Sequence, residues 1–260
     1  MASTKDIFGI SEYLFYGKYS HLRRELDFNY HGSYSQKRTL IQDKIIDTFL
    51  GKLDIGELFF FANLKMTPEE TKKPRLIFSG GVMGAGKSHT LKWMHENKQI
   101  NLDEFLWVDP DKIKELIPEY DTFKKEDPFT AGSRLHHESG YIQEILVLLA
   151  LKNGWNIIVD GSLKDHVWYS WYFGIIRSHY PNYKLEIIYV VANVDIIWKR
   201  INCRAAETGR YIPPSVFQDN LEQVPKSIDV LRKLVDKIMS FVNNNTPKLM
   251  WQAEFVELDT

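Results

Sequence analysis

Two rhythms of apolar residues divide the chain near Lys72-Lys73-Pro74. Before that point Leu40, Ile41, Ile45, Ile46 and Phe49 recur at helical spacing with polar and charged residues between them, which predicts a helix over residues 35–50. Residues 57–65 read as another helix, with Pro68 as its punctuation. From Arg75 the rhythm changes to short apolar runs alternating with longer helical patterns. Leu76-Ile77-Phe78, Glu104 to Val108, Asn156 to Val159 and Leu185 to Val191 read as strands, and Lys248 to Glu257 as an edge strand. Helices are predicted over Lys87–Asn97, Asp111–Ile117, Ser133–Lys152, Asp165–Ser178, Asp195–Thr208 and, as one long element, Pro214 to about Asn243. The alternation implies βαβ units and a mainly parallel sheet covered on both faces, a Rossmann-like three-layer αβα architecture. The expected organisation is a helical extension over residues 1–72 and an α/β domain over residues 73–260.

One segment carries chemistry on its own. Gly81-Val82-Met83-Gly84-Ala85-Gly86-Lys87-Ser88 fits G-x-x-x-x-G-K-[ST] in full, with His89 following. A predicted strand precedes it and a predicted helix follows, the context that separates a phosphate loop from an ordinary glycine-rich turn. Glycines let the backbone curl so that successive N–H groups face phosphate oxygens, and the positive end of the new helix favours the anion. Lys87 is then the ligand of the β- and γ-phosphates and Ser88 of Mg²⁺, and the fold becomes a P-loop NTPase using ATP or GTP.

A phosphate loop does not distinguish a hydrolase from a kinase, so the other strand ends matter. Open sheets of this kind bind ligands at the carboxyl ends of their strands. Asp109-Pro110-Asp111 stands at one of them. Asp109 suits a helix N-cap before Pro110, which leaves Asp111 to accept a proton from an acceptor hydroxyl. Asp160-Gly161-Ser162 ends another apolar strand, and Asp160 resembles the aspartate that partners Mg²⁺ or holds the acceptor. His136, Glu138 and Ser139 share one helical turn; adjacent His136 and His137 lack the i, i+4 spacing of a zinc pair, which leaves Glu138 as an acceptor contact. Arg200, Arg204 and Arg210 crowd into Trp198 to Pro213, either as a solvated basic face or as clamps on a migrating phosphoryl group.

Composition narrows the partners. The formal net charge is -1, so nothing in the balance favours a nucleic acid or an anionic membrane. Cys203 is the single cysteine, which excludes a disulfide framework. No apolar run reaches the roughly 18 residues of a membrane span, and the start of the chain lacks the pattern of a secretory signal. A cytoplasmic protein is expected.

In this order the motifs resemble the zeta toxin family of P-loop kinases, in particular its eukaryotic zeta-toxin-domain members. The likeness rests on Gly81–Ser88, Asp109–Lys114 with Pro118, His136-x-Glu138-Ser139, Asp160-Gly161-Ser162 and Arg204 to Pro213. It implies transfer of a phosphoryl group from ATP or GTP to the sugar 3′-hydroxyl of UDP-N-acetylglucosamine, and an antitoxin-like inhibitor as a partner. It implies Asp111 as general base, Lys87 and Ser88 on nucleotide and metal, Glu138 and Ser162 on the sugar nucleotide, and Arg210 with Arg200 or Arg204 as clamps. The family's glutamate-glycine-threonine stands here as Asp160-Gly161-Ser162, and Lys164 replaces an arginine, a change that removes a planar two-point grip on the acceptor side. A different small hydroxyl-bearing acceptor, a nucleic-acid 5′-hydroxyl read by Trp168, Tyr169, Trp171 and Tyr172, or a nucleotide-gated interaction module with residues 1–70 acting in cis are the alternatives.

Overall fold

The computed structural model describes residues 1–51, 73–209 and 211–255. The first stretch holds α1 (Thr4–Phe8), β1 (Gly9–Ile10), α2 (Ser20–Arg23), α3 (Phe28–His31), β2 (Ser33–Tyr34) and α4 (Gln36–Phe49). Then follow β3 (Arg75–Gly80), α5 (Lys87–Glu96), β4 (Phe105–Val108), α6 (Pro110–Leu116), α7 (Tyr120–Glu126), α8 (Ala131–Arg134) and α9 (His136–Lys152). The chain continues through β5 (Asn156–Asp160), α10 (His166–His179), β6 (Lys184–Val191), α11 (Val194–Thr208), α12 (Pro214–Leu231), β7 (Lys237–Val242) and β8 (Lys248–Glu254). It divides into two compact units, Met1–Lys65 with Val108–Asn153, and Met66–Trp107 with Gly154–Thr260. The predicted helix at 57–65 lies outside the described residues.

The first unit is built around α9. Its Tyr141, Ile142, Ile145, Leu146 and Val147 are all buried, the signature of a helix enclosed on most sides. α1, α2, α3, α4, α6 and α8 all pack on it, so the predicted extension and the segment that follows β4 share one core. Short polar caps set the entries: Ser3 and Asp6 form a capping box on α1, Asp27 caps α3, and Ser35 accepts from the Arg38 N–H to start α4.

The second unit is the sheet, of order β4-β5-β3-β6-β7-β8. β3 runs parallel to β5 and β6, β6 runs parallel to β7, and β8 is antiparallel to β7. Central strands buried on both faces read as unbroken apolar runs, which is why Leu76-Ile77-Phe78 and Ile187-Ile188 showed no alternation. Phe78 faces Phe173 of α10, and Gly80 faces Ile228 of α12. Phe241 projects from the other face toward Trp93 of α5. Helices therefore cover both sides, and the three-layer αβα sandwich holds.

The largest difference from the sequence reading follows α11. The long helix expected from Pro214 to about Asn243 stops at Leu231, and Lys237–Val242 is a strand parallel to β6. Asp236 fixes the change of direction: its carboxylate accepts from the Leu185 N–H at 2.6 Å and from Arg177 at 2.7 Å, setting β7 beside β6. A six-residue strand with four apolar residues, following a helix, has no periodicity of its own to announce it. Among the described residues no helix is long and apolar enough to cross a membrane.

Candidate active site

The phosphate loop connects the central strand β3 to α5. Gly81, Gly84 and Gly86 have φ of 145°, 85° and 91°, a region that side chains disfavour. Space demands the same residues: a Cβ on Gly81 would lie 2.3 Å from the Val190 carbonyl oxygen, and one on Gly86 2.5 Å from the Asn243 amide. Lys87 Nζ reaches back to the Gly81 carbonyl at 3.4 Å, so its ammonium crosses the loop. The first N–H groups of α5 have no intrahelical acceptor and carry the positive end of the helix dipole, which suits phosphate.

The same loop passes a test for a hard divalent cation. Ser88 Oγ donates to Asp160 Oδ2 at 3.2 Å, and the other oxygen of this buried carboxylate accepts from Ser79 Oγ. A hydroxyl and a carboxylate, both oxygen donors, stand together at the phosphate loop. Among the described residues no group of three His, Cys, Asp or Glu side chains could hold an ion alone. Mg²⁺ is commonly bound in this way, by one or two protein oxygens together with nucleotide phosphates and water. Ser88 and Asp160 are the residues that fit it.

Arg200 and Arg204 do not share a setting. Arg200 donates through Nη1 to the carbonyls of Gly84, Ala85 and Asn243 at 3.4, 3.3 and 2.9 Å, and through Nη2 to the Asn244 carbonyl at 3.0 Å. Its guanidinium is engaged in holding the loop's backbone. Arg204 is exposed one turn further along α11, and Arg210 lies outside the described residues. Gly209, at φ 67°, ends α11 in the left-handed conformation expected of a helix-stopping glycine. Asn243, which no motif indicated, directly follows β7 and is fully buried. Its amide donates to the Gly86 carbonyl at 3.0 Å and to Thr90 Oγ1 at 3.1 Å, and lies 3.1 Å from His89 Nδ1.

The turn after β5 is also built on the loop. The Gly81 N–H donates to the Ser162 carbonyl at 3.2 Å, and Leu163, buried with φ 57°, packs beside Gly80. A left-handed non-glycine residue is strained, and its place next to Asp160-Gly161-Ser162 marks the turn as constrained. Lys164 pairs with Asp219 at 2.7 Å on the surface, so its ammonium is directed along α12.

In the first unit, Asp109 caps α6 as expected, its Oδ1 accepting from the Asp111 N–H at 2.8 Å with Pro110 at the first helical position. Asp111 is half-buried and 3.3 Å from Lys114 Nζ. Glu138 is 1% exposed and accepts two hydrogen bonds from Arg38, at 2.6 and 2.7 Å, and one from Gln42 at 2.9 Å. Glu119 takes the other side of the same guanidinium at 2.9 and 2.7 Å. Burial disfavours the charge on Arg38, but its hydrogen bonds to Glu138 and Glu119 outweigh that and hold it above the ordinary arginine range. Ser139 is buried and donates to the His136 carbonyl at 3.0 Å, while the His136 side chain is exposed. Burial, with Lys5 and His31 nearby, lowers His137 below the ordinary imidazole value. Arg38, Glu119 and Asn243 were invisible to motif reading because each acts through a partner distant in sequence.

A mainly parallel sheet whose central strand runs through a complete glycine-lysine-serine loop into a helix, with a carboxylate at the neighbouring strand end, defines a P-loop nucleotide-binding protein. The zeta toxin family profile matches residues 61–254, most of the chain, and the protein belongs to that family. The fold is similar to a chain of the PezAT chromosomal toxin–antitoxin system of Streptococcus pneumoniae (12% identity, TM-score 0.63, covering 85% of this chain and 82% of that one). It is also similar to chains of the AvrRxo1-ORF1:AvrRxo1-ORF2 complex, one with ATP (16% identity, TM-score 0.61, 96% and 75% covered) and one with sulphate ions (17%, 0.62, 99% and 80%). No curated protein sequence matches the chain.

Proposed function

We propose that the protein transfers the γ-phosphoryl group of ATP to a hydroxyl of a small acceptor, and that the acceptor is a UDP-N-acetylhexosamine. The observation that carries the first half is the Ser88–Asp160 pair beside a loop whose lysine and helix start suit a triphosphate. A similar fold solved with ATP supports the choice of nucleotide. The second half rests on family membership and on the acceptor motifs.

The acceptor oxygen attacks the γ-phosphorus, the bond to the β-bridging oxygen breaks, and ADP leaves with that electron pair. Asp111 takes the acceptor's proton. Lys87 and the N–H groups of the loop neutralise the phosphates. Ser88 and Asp160 would hold Mg²⁺, which would supply positive charge to offset the charge that builds on the leaving group. Because Arg200 is engaged with backbone carbonyls, the clamp on the moving phosphoryl group falls to Arg204 and Arg210. Glu138 and Ser162 orient the sugar. An antitoxin-like protein is the corresponding partner, in keeping with a neighbour described as part of a toxin–antitoxin system.

The test is ATP consumption with Mg²⁺ across a panel of UDP-sugars and nucleosides, with mass analysis for a gain of one phosphate. Stimulation by a UDP-N-acetylhexosamine is expected, with turnover lowered at least about a hundredfold in Asp111→Asn and ATP affinity retained. ATP binding without stimulation by any UDP-sugar would discard the acceptor and keep the nucleotide site. Turnover of Asp111→Asn within a few-fold of wild type would remove Asp111 from the base role.

A further inference from the structure

Arg38 lies on α4, before the stretch matched by the family profile, yet its side chain is almost wholly buried between two glutamates that belong to that stretch. Nε and Nη2 grip Glu138 at 2.6 and 2.7 Å, while Nη1 and Nη2 grip Glu119 at 2.9 and 2.7 Å. A guanidinium is a rigid planar fork, so two simultaneous two-point grips fix the orientation of both carboxylates in one plane. The Phe8 ring covers a face of that plane, its centroid 4.1 Å from the guanidinium carbon. Gln42, one turn further along α4, supplies another donor to Glu138. A purely structural buried pair can usually be replaced by apolar side chains. Here, however, the carboxylates sit on two separate functional segments: Glu119 is the residue before α7, in the corner that α6 and its Asp111 lead into, and Glu138 lies in the first turn of α9.

We infer that Arg38 is a positioning residue for phosphoryl transfer, joining the α6–α7 corner, which carries Asp111, to the start of α9, which carries Glu138. The guanidinium has four of its hydrogen bonds committed to carboxylates, which suits it to orient acceptor-side residues and not to clamp a phosphate. The N-terminal segment is then a working part of the acceptor half. The inference rests on the proposed roles of Asp111 and Glu138.

Arg38→Lys keeps the charge and removes the fork. Glu119→Gln loosens the same joint from a side chain that is 23% exposed and leaves the Arg38–Glu138 pair in place. Both are compared with wild type for Tm, for KM of ATP and for KM of UDP-N-acetylglucosamine. The expected result in each variant is a rise of about tenfold or more in KM for UDP-N-acetylglucosamine, with KM for ATP within about twofold. A lowered Tm with both KM values unchanged overturns the inference and leaves a structural ion pair. If Arg38→Lys does not fold, an unchanged acceptor KM in Glu119→Gln overturns it equally. A wild type that binds ATP but does not phosphorylate UDP-N-acetylglucosamine overturns the acceptor reading and this inference with it; that failure shows in the wild type, the other only in the variants.

Discussion

At the scale of single residues, the phosphate loop is the most tightly determined part of the chain. Gly81 combines a positive φ of 145° with a site where a Cβ would meet backbone, the Val190 carbonyl oxygen, at 2.3 Å. Backbone in a central strand cannot swing aside as a flexible side chain can. Gly81→Ala should therefore cost about 2 kcal/mol or more, seen as a lowered midpoint in chemical denaturation, and should weaken ATP binding as well. An unchanged midpoint would mean that the strand ends yield more readily than their geometry implies. A second residue gives a pH signature. The folded His137 has a depressed pKa, through burial and the neighbouring Lys5 and His31, so the unfolded chain binds more protons between that value and 6.5. Its contribution to stability is thus present above 6.5 and is lost as pH falls through the folded value. Thermal unfolding of wild type and His137→Gln from about pH 7.5 to about pH 5 should show a smaller acid-side loss in the variant. Parallel curves would assign that loss to other groups. The loop was legible in the sequence because eight consecutive residues carry it. Leu163, strained beside it, was not, since nothing local to a leucine between Ser162 and Lys164 announces a left-handed backbone.

At the scale of elements, the loop's curl depends on what the ends of α11 and β7 bring to it. Arg200 from α11 and Asn243 from the end of β7 together hydrogen-bond the carbonyls of Gly84, Ala85 and Gly86. These bonds turn the carbonyls away from the concave side, where N–H groups must face a phosphate. Asn243→Ala should accordingly raise KM for ATP by about tenfold while kcat falls less, because the loop is loosened and the reacting groups remain. A fall in kcat at constant KM would assign Asn243 to the chemical step instead. This brace also shows where element-level reading from sequence stops. Strands β3, β5 and β6 were legible as apolar runs bounded by turn residues, and α4 by its spacing. β7 was absorbed into a helix, because Lys237-Ile238-Met239-Ser240-Phe241-Val242 follows α12 after a short turn without glycine or proline. Losing β7 from the reading lost Asn243 with it. The resemblance carried by the motifs reached the loop and the carboxylates, and not the side chains that hold them.

At the scale of the molecule, the question is whether the N-terminal segment restrains the enzyme or completes it. An autoinhibitory extension should be separable, with its own core or an exposed contact face. This one is interleaved. Residues of α1, α2, α3 and α4 pack around α9 in one unit, and Tyr34 and His31 lie against Tyr141 within it. Buried polar contacts cross the same boundary, the Arg38–Glu138 ion pair and His31 Nε2 at 2.9 Å from Glu144. Removing residues 1–50 would expose several α9 side chains, each contributing about 1.5 to 3 kcal/mol when buried. It would also leave Glu138 without its cation, at about 3 to 5 kcal/mol. Together these losses rival the ~5 to 15 kcal/mol that holds an ordinary domain folded. A chain starting at Gly51 should therefore lose acceptor-dependent turnover and the cooperative unfolding of the first unit, visible as lost helical signal in far-ultraviolet circular dichroism. Autoinhibition makes the opposite prediction, a shortened chain that keeps its helical signal and turns over faster. Such a rise would overturn the reading of the segment as part of the acceptor half. Loss of both signals would be the expected consequence of removing the helices that enclose α9.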